Sequence, residues 1–249
     1  MSDPQRNVAP RIVSPIPGTT RDSSDTVIRH NEKPYVLVDT AGLRRRSRVE
    51  EGIESLAALR SAQAIAGADV VVAVLDATEP IGNQDKRIAQ MAADEGKATI
   101  LLLNKTDLLP KAKQARRGEE QEDSPLMQKV AEIRRELPLV SFAPIHAASA
   151  ATRDGLPKLF PMIDIVHANV HRRIPTKALR DWFDDVRRGK PVGELKRAKH
   201  VTQADGIPPT FVIFTKNPKA VRAHQLRYLD HQLRATFSFD GVPVRWVVK

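Results

Sequence analysis

Two short runs of consecutive apolar residues limit most strongly what this chain can fold into. Residues 70–75 and 98–103 contain one polar side chain between them, that of Thr99. A strand that is apolar along its whole length must be covered on both faces, as in a parallel sheet with helices on either side. Segments with helical spacing of apolar residues precede and follow each run. This alternation predicts a doubly wound α/β domain with a mostly parallel sheet.

The remaining elements of this domain extend from a hairpin to a closing helix. Strands at residues 26–30 and 34–39, joined by residues 31–33, predict the hairpin. Residues 111–124 are rich in charged and amide side chains and are predicted to be an insertion. The other predicted elements are helices at about 52–66, 84–95 and 156–167, strands at 68–76, 98–104 and 142–146, and a helix whose stripe is Leu126, Val130, Ile133 and Leu137.

A C-terminal unit is predicted from about residue 172. Its pattern indicates a helix, two strands at residues 196–203 and 209–215, and a second helix at 221–236. The chain then closes in strict alternation, which predicts a strand packed against the helices. This order gives a small α+β domain. The apolar residues used are Leu179, Trp182, Phe183 and Val186 in the first helix, Leu226, Leu229 and Leu233 in the second, and Val242, Val244, Trp246 and Val248 in the last strand.

The net positive charge of the chain lies entirely in this C-terminal part. The net charge is +10, and residues 170–249 hold 17 basic and 7 acidic side chains. A basic unit beside a neutral one favours a polyanionic partner such as RNA, and a well-solvated surface is the alternative. The first eleven residues have no apolar run of a secretion signal, and no segment approaches the roughly 20 apolar residues of a membrane span. We therefore expect a cytoplasmic chain.

Polar residues with a defined chemistry follow two of the apolar strands. Asp39 ends the strand of the segment YVLVDTAG, and Gly42 lies three residues further on. Such an aspartate can hold Mg²⁺ through a water, while a backbone N–H at the glycine can meet a terminal phosphate. After residues 98–103 comes NKTD, in which the Asp107 carboxylate can accept two N–H bonds from the edge of guanine. Ordinary turn residues at a strand end are the alternative interpretation in both places.

Together, PGTTRD, DTAG, NKTD and the Ser149-Ala150 pair closely resemble the translation-factor-related GTPases. The longer segments IVSPIPGTTRD, DTAGLRRRSRVEEGIES and FDGVPVR resemble most closely the Der (EngA) family of bacterial ribosome-assembly GTPases. The resemblance implies GTP or GDP and Mg²⁺ as ligands, K⁺ as an assisting ion, and the large ribosomal subunit as partner. It also implies the second GTPase domain of such a protein, followed by its C-terminal KH-like domain.

The resemblance carries over to single residues. Thr20, rather than Thr19, and Asp39 match the residues that meet Mg²⁺, and Asp39 and Gly42 match those that sense the γ-phosphate. In the family, the residues matching Asn104, Lys105 and Asp107 read guanine, and the backbone matching Ser149-Ala150 supports the base. The implied division of the chain is a leader at residues 1–11, a GTPase-like domain at 12–169 and a KH-like domain at 170–249.

The phosphate-binding loop of this fold, the P-loop, is missing from the 249 residues. No G-x-x-x-x-G-K-[ST] occurs, because Gly96-Lys97 is followed by Ala and Gly189-Lys190 by Pro. The resemblance therefore implies an incomplete P-loop-GTPase-like sheet without its first strand. Charge-assisted contacts contribute about 1.5–3 kcal/mol each, so the loss of several should weaken nucleotide binding by powers of ten. Two apolar strands should also border a gap with unpaired edges, which invites aggregation.

Three hypotheses about function follow. The chain is part of a GTPase; or it is a nucleotide-free basic module that binds ribosomal RNA or protein; or it is a non-functional fragment. The run of arginines at residues 44–48 is either a switch segment or a solvated loop. Aromatic side chains at Trp182, Phe183, Phe211, Phe214 and Tyr228 are predicted to lie in the core. RNA contact would then depend on phosphate contacts of Lys196, Arg197, Lys199, Lys216, Lys219 and Arg222.

Overall fold

The structure is a computed structural model that describes residues 25–38, 54–110, 124–189 and 193–249. Within these ranges the chain forms six α-helices and eight β-strands, and the strands are arranged in three separate sheets. Strands β1 (Asp25–His30) and β2 (Lys33–Val38) form an antiparallel hairpin. The turn residues Asn31 and Glu32 both have positive φ, 48° and 63°, as a tight two-residue hairpin turn requires. The predicted hairpin is confirmed, with Lys33 in the second strand.

The second sheet is parallel and runs in the order β3 (Val70–Asp76), β4 (Ala98–Asn104), β5 (Ile145–Ala147). Four helices accompany it: α1 (Glu54–Gly67), α2 (Asn83–Asp94), α3 (Pro125–Glu136) and α4 (Leu156–Val170). Hydrophobic residues cover β4 on both faces. Leu101 and Leu103 pack in one cluster with Ile133 of α3, and Ile100 packs in another with Val166 of α4. The predicted α/β domain with a parallel sheet is confirmed.

The hairpin contacts this unit through α4. The Tyr35 hydroxyl donates a hydrogen bond to the Asp164 carboxylate (3.0 Å), and the His30 ring stacks on Phe160. Within the described ranges, β2 pairs only with β1, and β3 pairs only with β4. Apolar side chains on both strands stay exposed, for example Leu37 (46%) and Val74 (44%). The separation of the two sheets agrees with the gap predicted between them.

The C-terminal unit comprises α5 (Thr176–Arg188), β6 (His200–Ala204), β7 (Thr210–Phe214), α6 (Ala223–Phe237) and β8 (Arg245–Val248). Strand β7 is central, antiparallel to β6 and parallel to β8. Both helices pack on one face of this sheet, around a core that includes Leu179, Phe183 and Phe211. The predicted small α+β domain is therefore observed, with the expected four residues of α5 buried.

Two predicted strands are displaced. The strand predicted at residues 142–146 is observed at Ile145–Ala147, because the 3₁₀ turn Pro138–Val140 continues into a hydrogen bond from Ala143 N to Val140 O (2.9 Å). The strand predicted at 196–203 is observed at His200–Ala204. There the 3₁₀ helix Gly193–Arg197 comes first, since it buries Leu195 in the core.

A loop of the C-terminal unit enters the N-terminal unit. Val242 packs with Ile100 and Val166 in the core of the parallel-sheet unit. Thr99 N of β4 donates to Gly241 O (2.7 Å). The loop therefore binds the start of β4, before the residues of β4 that pair with β5. Gly241 has φ +77°, and a Cβ there would lie 2.4 Å from Val166 Cγ2. The prediction that Val242 belongs to the stripe of the last strand is wrong, because the other unit covers it. Among the described residues, no helix has the length and apolarity of a membrane span.

Candidate guanine-nucleotide site

The candidate site lies where the strands β3, β4 and β5 end. Their parallel register places Asp76, the last residue of β3, beside Asn104, the last residue of β4. The loop after β5 lies next to both, since Ala148 N donates to Leu103 O (2.9 Å). Carboxyl ends of parallel strands are where such sheets bind ligands, because the loops there converge.

Asn104 links the loops around it. Its side-chain oxygen Oδ1 accepts a hydrogen bond from Ala150 N at 2.9 Å, which connects the loops after β4 and β5. Its backbone oxygen accepts from Ala77 N, also at 2.9 Å, which connects the loop after β3. One residue therefore fixes three loops that are distant in sequence. The structure brings together Asn104 and Ala150, two of the residues predicted for the guanine site.

The residues after Asn104 turn sharply towards solvent. Lys105 has φ 64°, in the left-handed region, and begins the 3₁₀ turn Thr106–Leu108. Thr106 Oγ1 donates to Ala148 O at 3.0 Å and holds this turn against the loop after β5. Asp107 is exposed, and no hydrogen bond or ion pair joins its carboxylate to another described residue. The turn thus presents an acceptor to solvent at the position where the sequence predicts recognition of guanine.

The loop that carries Ser149 is tightly closed. Ser149 is buried, its amide donates to Asp154 O (2.9 Å), and its hydroxyl oxygen accepts from Thr152 N (3.1 Å). Gly155 has φ +75°, and a Cβ there would lie 2.4 Å from Ala147 O. Only glycine fits such a position, because an added side chain would meet backbone. The segment Ser149-Ala150, for which the sequence predicts backbone support of the base, therefore lies in a loop closed by its own hydrogen bonds.

Asp76 is a residue of this site that the sequence interpretation missed. Its carboxylate forms an ion pair with Lys105 (Nζ to Oδ2, 2.6 Å) and accepts hydrogen bonds from Thr78 N (2.9 Å) and Thr78 Oγ1 (2.7 Å). The bond from Lys105 and those from Thr78 lower the pKa of Asp76 from 3.8 to about 2. Asp76 thus fixes the direction of the lysine. The only available signal was that both predicted strands end on a polar residue, Asp76 and Asn104.

Thr20, Asp39 and Gly42, the residues predicted for Mg²⁺ and the γ-phosphate, lie outside the described residues, as do the arginine run at 44–48 and residues 111–123. Their place relative to Asn104 stays a prediction. Within the described part of the chain, no three histidine, aspartate or glutamate side chains come together as metal ligands. The geometry available therefore concerns base recognition, through Asn104, Lys105, Asp107, Ser149 and Ala150.

The basic residues predicted for RNA contact are all exposed on the C-terminal unit. Trp182, Phe183 and Phe211 are buried in its core, and Tyr228 packs against them, as predicted. Phe214 is different: it is half-buried and stacks on the exposed His200, with ring centroids 4.4 Å apart. The prediction of a core position for Phe214 is wrong because its strand faces the helices with alternate residues only.

Comparison with known proteins identifies both units. A family model described as "50S ribosome-binding GTPase" matches residues 6–105, and one described as "KH-domain-like of EngA bacterial GTPase enzymes, C-terminal" matches residues 173–249. The chain is 38% identical over 242 residues to a protein named GTPase Der from Heliobacterium modesticaldum. It is 39% identical over 243 residues to one from Moorella thermoacetica. These matches cover 96% of the chain and 52% and 53% of the relatives.

The two matches place the chain in the class of GTPase-related proteins in which an α/β unit is followed by a KH-like domain. Both the order of the two family models and the similarity over nearly all of the chain agree with one family in particular. The chain belongs to the Der (EngA) family. It spans about half the length of the curated relatives that it matches.

Proposed function

We propose that this chain recognises guanine nucleotides at the ends of β4 and β5, as part of a Der-type GTPase of large-subunit ribosome assembly in the cytoplasm. The observation that carries the proposal is the hydrogen bond from Ala150 N to Asn104 Oδ1, which joins the two loops predicted to hold the base. The family membership and the name "50S ribosome-binding GTPase" of the matching family model support it.

In this proposal each described residue has one task. The exposed Asp107 carboxylate accepts two N–H bonds from the guanine edge, which adenine does not offer. The aliphatic stem of Lys105 lies over the ring, with its ammonium group directed by Asp76. The backbone at Ser149-Ala150 supports the base from the tightly closed loop. GTP would supply the phosphoanhydride bond that is hydrolysed, with Mg²⁺ held through Thr20 and Asp39 and with Asp39 and Gly42 near the γ-phosphate.

The test is base preference rather than turnover, because the 249 residues contain no phosphate-binding loop. Ligand-observed NMR of the chain with guanosine, adenosine and xanthosine should show saturation transfer to guanosine alone. Replacement of Asp107 with Asn should shift the preference from guanosine to xanthosine, since an amide N–H then faces the xanthine oxygen. Asp181→Asn, at an exposed position of α5, is the matched control and should leave the preference unchanged.

Two outcomes would contradict the proposal. Unchanged guanosine preference in Asp107→Asn would remove this residue from base recognition. Equal binding of adenosine and guanosine by the unaltered chain would remove the site itself. GTP turnover by the chain alone, abolished by a change at Asp39, would show instead that an unrecognised group holds the triphosphate.

A second candidate function is a basic module that binds ribosomal RNA. The exposed cations of the C-terminal unit favour it: Lys196, Arg197, Lys199, Lys216, Lys219 and Arg222. Contacts to phosphates alone predict strong salt dependence and little sequence preference. Binding of large-subunit RNA fragments should therefore weaken steeply as salt rises, and a flat salt dependence would exclude this function.

A further inference from the structure

A cavity of about 140 Å³ lies between the two units, at the end of the parallel sheet away from Asn104. Asp69 and Lys97, which directly precede β3 and β4, line it from the N-terminal unit. Pro208 and Val242 line it from the C-terminal unit. The cavity is therefore at the opposite end of these strands from the candidate nucleotide site, and a ligand bound there would be distinct from the base.

The C-terminal ends of three helices meet at this cavity. Helices α1, α2 and α4 all end within two residues of positions that line it. The last carbonyls of a helix carry partial negative charge, so this end of the unit favours a cation. Lys97 shows the preference, because its ammonium group donates to Ala66 O (2.6 Å) and Ala68 O (3.0 Å) at the end of α1.

Two histidines at the end of α4 line the same cavity. His167 and His171 are four residues apart, which places them on one face of the helix, and no other two of the seven histidines have this spacing. The His171 amide donates to Ala168 O (3.2 Å), so His171 remains on the final turn. No hydrogen bond joins the ring nitrogens of either histidine to another described residue. Each neutral ring therefore keeps a nitrogen lone pair for a ligand.

The separation of the two rings fits a shared metal ion. Their centroids are 5.3 Å apart, with ring planes at 67°. Two imidazoles that bind one tetrahedral ion through nitrogens about 2.1 Å from it have centroids roughly 5 Å apart. The backbone of α4 thus already holds the rings at the required distance, and only rotation about side-chain bonds is needed. The same spacing on one helix face provides two of the ligands in helical zinc sites.

The ligand atoms select the kind of ion. Imidazole nitrogen binds Zn²⁺, Ni²⁺ and Cu²⁺ well, whereas Mg²⁺ and Ca²⁺ prefer oxygen. Among the described residues, no third histidine, aspartate or glutamate completes a set of metal ligands, so water would fill the remaining positions. Asp69 is exposed and lines the same cavity, and its negative charge adds to the attraction of a cation.

From these observations we propose that His167 and His171 bind one divalent transition-metal ion, such as Zn²⁺, and that this ion stabilises the junction between the two units. The turn that carries the pair also contacts the C-terminal unit, since Asn169 Nδ2 donates to Asp240 O (3.0 Å). An ion that fixes this turn therefore strengthens the contact between the units. The site depends on neither candidate function proposed above.

Isothermal titration calorimetry of the untagged full chain with zinc chloride tests the site. One zinc ion should bind per chain, and Mg²⁺ should not compete for it. His167→Ala and His171→Ala should each weaken zinc binding by at least about 10-fold, the smallest loss typical even of outer-shell partners of a metal. Asp69→Asn should weaken it by a smaller factor. His231→Ala is the matched control, because His231 is exposed on α6 and has no histidine four residues away.

Thermal unfolding is the second readout. Saturating zinc should raise the unfolding midpoint of the unaltered chain and of His231→Ala, but not that of His171→Ala, whose altered side chain is exposed. Zinc affinity that is unchanged in both His167→Ala and His171→Ala would overturn the inference, as would competition by Mg²⁺. Binding without a rise in the midpoint would overturn the stabilising role. Guanosine binding should persist in His167→Ala, so failure of the metal site leaves the nucleotide proposal intact.

Discussion

The two larger sheets of this chain are covered differently. In β4 the neighbours Leu101 and Leu102 point to opposite faces, and both are nearly inaccessible, at 1% and 7% exposure. In β7 Phe211 is fully buried, whereas the opposite face is covered at Val212 (8% exposed) and only half covered at Phe214, where the strand ends. A sheet covered on both faces can bind ligands only at the ends of its strands, where Asn104 lies. A sheet whose second face is partly accessible can also bind ligands on that face.

The largest expected effect separates the two phenylalanines of β7. Phe211→Ala should lower the free energy of unfolding by about 3–5 kcal/mol, because it empties a fully enclosed core position. Phe214→Ala should cost roughly 1–2 kcal/mol, since it removes only partly buried area. Urea unfolding followed by tryptophan fluorescence reports on this unit alone, because both tryptophans, Trp182 and Trp246, lie in it. Equal costs would mean that the face of β7 opposite the helices is covered at Phe214 as fully as it is at Val212.

Strand β4 should show no such difference between its faces. Leu101→Ala and Leu102→Ala should each cost about 2–5 kcal/mol, because both side chains are enclosed. Urea unfolding followed by far-ultraviolet circular dichroism measures the two variants in the same way. A loss below about 1 kcal/mol for either leucine would show that one face of this sheet is open, and the contrast with β7 would disappear.

The smallest effect concerns the strand ends and depends on pH. Asp76 has a pKa of about 2 in the folded chain, against 3.8 ordinarily, mainly because Lys105 binds its ionised form. The ion pair therefore stabilises the fold fully above about pH 4, and this stabilisation is lost as pH falls towards 2. Asp76→Asn should cost up to about 1 kcal/mol near neutral pH, since Lys105 is half exposed, and progressively less in acid.

Thermal unfolding across this pH range measures the difference between the variant and the unaltered chain. Asp69→Asn, at an exposed aspartate just before β3, serves as control and should show no such trend. A difference that stays constant down to pH 2 would mean that the Lys105 pair does not contribute to stability.

Local patterns predicted most of the elements. The apolar run of β4 specified a strand with two covered faces, and the stripe of α5 specified its buried side, because both depend on neighbours close in sequence. The Asp76–Lys105 pair depends instead on the register between β3 and β4, which no local pattern contains. Likewise, the alternation that placed Phe214 in a strand could not tell which face the helices would cover.

The guanine site was predictable as a set of loops but not as a set of contacts. NKTD and Ser149-Ala150 were recognised from the family resemblance, and the structure joins them through Asn104. The closure of the second loop at Gly155 could not be read from sequence, since it arises from the approach of the Ala147 carbonyl. Val242 shows the same limit: it continued an alternating stripe, yet its neighbours belong to the other unit.

The bond between Thr99 and Gly241 makes the two units poor candidates for separate study. A chain cut near Arg172 would leave the Thr99 amide of the N-terminal half without its acceptor. It would also expose the hydrophobic cluster around Ile100 and Val166 to water. The other half would carry Val242 bare on a surface loop. Each piece would then expose an apolar surface that is buried between the two units in the intact chain, and we expect each piece to aggregate.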